Sequence, residues 1–264
     1  MVNINSKIKT RLTQSIKKYQ PILQKAKIAD INESDTVMII TDMLNDVFGF
    51  DKYINITSEY SIKKTYCDLA VKNNDKILYL LECKAAGIDL KDDHIRQATN
   101  YSADSGIEWV VLTNGTIWKI YKILFTKPIE KVLVYELNLE ELNVKKQEDL
   151  EKLYRLCKEA FDKGRSALED FYCQKQIINR HIIGNIMMSD SVIDSLRKTI
   201  KKLYPDIKTS NEELYTLIKN EIFKREITEG ESAEEAAKTI KKAEKNLLSK
   251  SKPKEEKEEA PVLV

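Results

Sequence analysis

The sequence predicts an α/β domain followed by an α-helical region. Three observations carry that expectation. The hydrophobic period switches from helical to strand-like near residue 65. A second β-rich stretch brackets the dipeptide Asn114-Gly115, a strong short-range hairpin signal. Strand signals then stop near residue 140, and only helical patterns follow.

Residues 1–28 hold Lys7, Lys9, Arg11, Lys17, Lys18, Lys25 and Lys27 and no acid. Ile4, Ile8, Leu12, Ile16 and Tyr19 recur at helical spacing, so 5–27 is predicted as an amphipathic helix interrupted at Pro21. Two compatible readings follow: a basic arm that attracts polyanions by counterion release, and a solvated helix face. A second helix is expected over about 34–47, capped by Asn32 or Ser34 and stopped by Gly49, with a strand near 53–59.

Runs 65–72 and 76–84 flank the turn formers Asn73, Asn74 and Asp75 and predict a hairpin. A helix over 92–104, the Asn-Gly hairpin and a strand over 131–137 complete the α/β part. Helices are expected over 147–163, 165–184, 189–203, 210–225 and 231–248. The domain reading is a basic helix 1–28, a core 29–140, a helical domain 141–248 and a disordered charged tail 249–264.

Composition removes several function classes. The four cysteines show no C-x-x-C pairing, and His94 and His181 are the only histidines, which disfavours a zinc finger, a disulfide framework and histidine-centred catalysis. His94 reads as a solvated helix-start residue. No apolar run is long enough to span a bilayer, and the N-terminus lacks a secretory pattern, so a cytoplasmic address without a membrane partner is expected.

Chemistry concentrates in the first hairpin. If it closes symmetrically about Asp75, Asp68 lies opposite Glu82 with Cβ atoms ~5 Å apart. Lys84, two residues on, shares the face of Glu82. Leu78, Leu80 and Ala70 would continue that face, and Cys67, Leu69, Leu81 and Cys83 would fill the other. Two unpaired carboxylates repel, and a divalent cation removes that cost. Mg²⁺, with Mn²⁺ as a substitute, suits a shell of Asp68, Glu82 and the carbonyl of Cys83. The bland alternative is a solvated hairpin with Glu-Lys alternation, which the interleaved LAV and LYLL disfavour. Trp109, Trp118 and Tyr121 allow a base-stacking platform but alternate with Val and Ile, and so read as packing.

An aspartate before a short loop, then E-x-K on the next strand, resembles the PD-(D/E)XK nucleases, with Cys67 in place of the proline. Glu33 in NESDT resembles an additional acidic residue of that family, and Glu59 stands at the close of the first strand. Gln97 and Tyr101 resemble the QxxxY pair of RecB-like members. The order NESDT, LNDVFGFD, the Asp and E-x-K strands, RQATNY and WVVLTNGTIWKIY is similar to the N-terminal domain of type I restriction-enzyme R subunits over roughly 30–137.

The resemblance implies a restriction-endonuclease-like core, a mixed sheet flanked by helices. It also implies a Mg²⁺-dependent hydrolase of DNA phosphodiester bonds, with RNA an open alternative. Asp68, Glu82, Lys84 and Gln97 would be catalytic, with Tyr101, Arg96, Glu33 and Glu59 holding nucleic acid or the ligands. Tyr101 as a core aromatic and Glu33 as a helix-start acid are the structural alternatives. No G-x-x-x-x-G-K-[ST] occurs, so a nuclease domain fused to helices is expected rather than a motor subunit. A nuclease-like binding module with an idle metal site is the competing class. The 210–240 segment suggests a homodimer or partner contact, or packing onto the chain's own core.

Overall fold

The computed structural model describes residues 3–62, 65–161 and 166–250, with the backbone alone for 59–62, 65, 66, 244 and 246–250. The chain forms two compact units, Met1–Tyr172 and Cys173–Val264.

The first unit holds a mixed six-stranded sheet: β1 Ile56–Ile62, β2 Thr65–Asn73, β3 Lys76–Cys83, β4 Trp109–Thr113, β5 Ile117–Leu124 and β6 Glu130–Asn138, in chain order across the sheet. Neighbours are antiparallel except β3 and β4, which run parallel because a helix crosses between them. α1 (Ser6–Ile28) and α2 (Glu33–Asp46) precede the sheet, α3 (Arg96–Ser105) makes the crossover, and α4 (Gln147–Tyr154) follows it.

Two hydrophobic layers sandwich the sheet. One gathers Leu12, Ile16, Tyr19 and Leu23 of α1 with Ile40, Met43 and Leu44 of α2, against Leu69, Val71, Tyr79, Leu81, Val111 and Trp118. The other sets Ile95, Ala98 and Tyr101 against Ala70, Leu80, Val110, Leu112 and Tyr121. This is an α/β restriction-endonuclease-like architecture followed by a helical region. Trp118, Trp109 and Tyr121 are all buried in these layers, as the packing reading of the second hairpin requires.

Several local expectations change. α1 runs through Pro21 without interruption, because its buried stripe of Leu12, Ile16, Tyr19, Leu23 and Ala26 holds both halves to one core. Asn32 is the cap of α2, its side chain accepting from the Asp35 amide. The first strand begins later than expected, since the Asp51 carboxylate accepts from the amides of Tyr53 and Ile54 and folds that stretch into a turn. At Asn114-Gly115, Gly115 has φ +85°, and a Cβ there would lie 2.8 Å from Leu23 Cδ2. Glycine is needed both for the backbone conformation and for the approach of α1.

The boundaries at 28/29 and 140/141 do not separate compact units. α1 buries its stripe in the same core as the sheet, and Leu150, Leu153, Leu156 and Cys157 complete that core from the far side of 140. The first unit therefore extends to Tyr172. The connecting helix α5 (Ala167–Ile177) stops before Asn179, whose side chain accepts from the amides of His181 and Ile182 and opens α6 (Arg180–Met187). The single helix expected over 165–184 is thus two.

In the second unit, α7 (Asp190–Leu203), α8 (Asn211–Leu217), α9 (Arg225–Thr228) and α10 (Glu231–Lys250) follow. Ile193, Leu214 and Ile218 form its small core with Met188, Ile200 and Phe223. Most of the expected charged tail, 251–264, lies outside the described residues. Among those described, no helix is long and apolar enough to cross a membrane.

Candidate active site

The site is built by the β2–β3 hairpin. Its turn is the two-residue Asn74-Asp75, with φ +47° and +62°, the primed geometry that matches strand twist. Near the turn Lys72 pairs with Ile77; past a bulge beside Val71, the pairs become Val71 with Tyr79, Ala70 with Leu80 and Leu69 with Leu81. Continuing that ladder sets Asp68 opposite Glu82.

The bulge is decisive, because a one-residue slip moves a strand's side chains to the other face. A two-residue turn without it would pair Asp68 with Leu81 and send the two carboxylates to opposite faces. The extra residue is Leu78. It packs with the α1–α2 layer beside Tyr79, and not on the Glu82 face as simple alternation suggests. Cys67 likewise departs from alternation and joins the α3 layer, its thiol donating to the Leu81 carbonyl.

Around this frame the polar groups converge. Asp68 Oδ2 accepts from the Cys83 amide at 2.6 Å. The Lys84 ammonium lies 2.8 Å from Glu82 Oε1, 2.8 Å from the Cys83 carbonyl and 3.4 Å from Glu33 Oε2. Glu33 opens α2, which reaches the end of β3 because the Ala86 amide donates to Thr36 Oγ1 and Gly87 abuts Asp30. Lys84 itself is held by its amide donating to the Thr113 carbonyl.

Glu82 is buried at 7% exposure. Burial pushes the Asp68 carboxyl up, against the opposing pull of the Cys83 amide and the Lys84 charge. Burial also raises Glu82; the Lys84 hydrogen bond opposes this, and the charges of Asp68 and Glu33 add to it. For Lys84 burial works downward, but the hydrogen bond and charge of Glu82, with Glu33 and Asp68, outweigh it and raise its pKa. Two carboxylates short of positive charge, with only oxygen donors between them, suit a hard divalent cation. Among the described residues no group of three or more His, Cys, Asp or Glu is arranged to hold a metal.

The other expected residues lie on α3 and β1. Arg96 and Gln97 are exposed on the first turn of α3. Tyr101 is 1% exposed in the layer between that helix and the sheet, so its ring is part of the core. The backbone of Glu59 lies in β1, and its side chain is outside the described residues. His94 sits in the turn before α3, its Nδ1 accepting from the Lys91 amide. Sequence reasoning missed the Cys83 amide that orients Asp68 and the Leu78 bulge. The bulge was detectable: Asp68 and Glu82 are an even number of residues apart, whereas a two-residue turn pairs residues an odd number apart.

The fold and this hairpin define the class as a domain with a restriction-endonuclease-like core. Residues 40–138 match the family described as type I restriction enzyme R protein N terminus. The match contains Asp68, Glu82, Lys84, Gln97 and Tyr101; Glu33, α1 and the whole second unit lie outside it. Neither the curated proteins nor the solved structures provide a match.

Proposed function

We propose that this chain is a Mg²⁺-dependent nuclease hydrolysing DNA phosphodiester bonds at Asp68, Glu82 and Lys84. The observation that carries the reading is the convergence of these three side chains on one half-buried patch, where an interaction is stronger than in open water. Asp68, Glu82 and the Cys83 carbonyl would hold the ion, which when bound lowers the pKa of water and offsets charge at the phosphate. The Cys83 amide fixes the Asp68 carboxylate. Lys84, a short charge on a half-buried stem, is placed to orient the attacking water or to stabilise the charge gathering on the phosphoryl oxygens. Gln97 and Arg96, exposed at the start of α3, are candidates for phosphate contacts, with Tyr101 positioning that helix.

The test is cleavage of plasmid, linear and single-stranded DNA, and of RNA, with Mg²⁺ or Mn²⁺, comparing wild type with Lys84→Ala and Asp68→Ala. Wild-type cutting that both variants abolish, with binding retained, supports the reading. No cutting by pure wild type on any substrate overturns it. One observation favours a nucleic-acid-binding module with an idle site: the Lys84 ammonium already satisfies Glu82 and the Cys83 carbonyl. Calorimetric Mg²⁺ titration tests the ion site itself, since equal heats for wild type and Asp68→Ala would remove it, while the cleavage assay separates the two readings.

A further inference from the structure

We infer that the second unit carries its own DNA-backbone site, formed by the C-terminal half of α7 and the loop after it. The stretch from Arg197 to Lys208 holds five cations, Arg197, Lys198, Lys201, Lys202 and Lys208, against one acid, Asp206. Lys198, Lys201 and Lys202 stand at i, i+3 and i+4 and so share one face of α7. Across from that helix the loop supplies Lys208, and Arg197, Lys201 and Lys208 line one cleft of about 460 Å³ with Pro205, Asp206 and Ile207.

The cations divide into two groups. Asp194 neutralises part of the first, bonding Arg197 Nη2 at 2.7 Å and Lys198 Nζ at 2.6 Å. Lys201, Lys202 and Lys208 are exposed and make no ion pair among the described residues. Beside them stand Leu203, Tyr204 and Ile207, at 67%, 59% and 53% exposure. Lysines in a last helical turn complement the helix dipole, which accounts for Lys201 and Lys202. It does not account for Lys208 on the facing loop, or for an open tyrosine between cations.

Uncompensated cations on both walls of a cleft, with the exposed Tyr204 at the end of α7 between them in sequence, match a phosphate strand whose bases can stack. A lipid surface fits less well. The strongest apolar positions of α7, Ile193 and Ile200, are spent on the unit's own core, and Asp206 sits in the middle of the patch.

The experiment measures binding of fluorescein-labelled single- and double-stranded DNA to the full chain in EDTA, from about 50 to about 200 mM salt. Wild type is compared with a triple variant, Lys201→Gln, Lys202→Gln and Lys208→Gln. A control triple, Lys238→Gln, Lys241→Gln and Lys242→Gln, removes the same charge from exposed positions of α10, where glutamates are interleaved.

The first triple should weaken DNA binding at least tenfold at low salt and lower the salt slope by between two and three, at about 0.9 for each phosphate no longer neutralised. The control should change neither. Tyr204→Ala should weaken single-strand binding more than duplex binding. Equal weakening by both triples, no weakening by the first, no DNA binding by wild type, or an effect confined to anionic phosphatidylserine vesicles would each overturn the inference. Binding is read without a metal, so a chain that binds here and never cuts defeats the proposed nuclease activity and leaves this site standing. A chain that cuts, with the first triple binding as wild type, does the reverse.

Discussion

The Lys84 ammonium touches oxygens of three residues, and its removal leaves two raised carboxylates without their nearest cation. For Lys84→Ala the expected loss is about 10²–10³ in cleavage rate, the scale of one preorganised electrostatic group. DNA affinity should be nearly unchanged. The same variant should gain more thermal stability from added Mg²⁺ than wild type, because the ion then supplies the missing charge; scanning fluorimetry with and without the ion checks this. A second residue-scale prediction concerns Arg11 and Glu159, bonded at 2.6 and 2.8 Å in a bidentate pair. Burial pushes Glu159 up, but the Arg11 hydrogen bond and charge outweigh it and lower its pKa below 4.5. Its contribution is therefore complete above pH 4.5 and is lost as pH falls through the folded-state value. Glu159→Gln should melt earlier than wild type at pH 7, and the gap should close in that acid window.

At the scale of the element, the β2–β3 hairpin combines a two-residue turn with a bulge, and the two features have different roles. The turn is a matter of stability. Asp75 holds φ +62°, so Asp75→Gly should stabilise the fold by about 0.5 kcal/mol and leave cleavage unaltered. The bulge is a matter of register. Deleting Leu78 removes the bulge but keeps Val71 with Tyr79, Ala70 with Leu80 and Leu69 with Leu81 in one uninterrupted ladder, so Asp68 still faces Glu82. Cation binding and cleavage should both persist, and the thermal midpoint should fall with the lost packing of Leu78. A folded deletion variant that no longer binds Mg²⁺ would refute the register argument.

For the whole molecule, the first unit depends on both of its flanks. A fragment 29–140 lacks Leu12, Ile16, Tyr19 and Leu23 on one side and Leu150, Leu153 and Leu156 on the other, all part of a single core. Each buried leucine or isoleucine contributes roughly 1.5–3 kcal/mol, so losing several exceeds the marginal stability of a domain. The expected outcome is cooperative urea unfolding for 1–172 and none for 29–140. The flanks are also tied by polar contacts: the Gln20 side-chain amide donates to the Leu139 carbonyl, and Lys122 pairs with Glu108 and Glu169 while lying over Trp109.

By itself the sequence determined the elements with strong local signals. Period alone announced α1, the hairpin strands and the helices after residue 140, and Asn-Gly marked the second turn, because these depend on neighbours a few residues apart. It also singled out Asp68, Glu82 and Lys84, since charges interleaved with buried strand residues have few ordinary uses. Only the tertiary structure decided what depends on distant partners. Pro21 stays helical because a core holds both sides of it. Tyr101 is buried because α3 lies on the sheet. Glu33 joins Lys84 because Thr36 docks α2 on the loop after β3. The pairing of Asp68 with Glu82 was guessed from symmetry about Asp75, but the cause is the Leu78 bulge, which alternation along one strand does not reveal. Register is a property of two strands together, and the site exists only in that register.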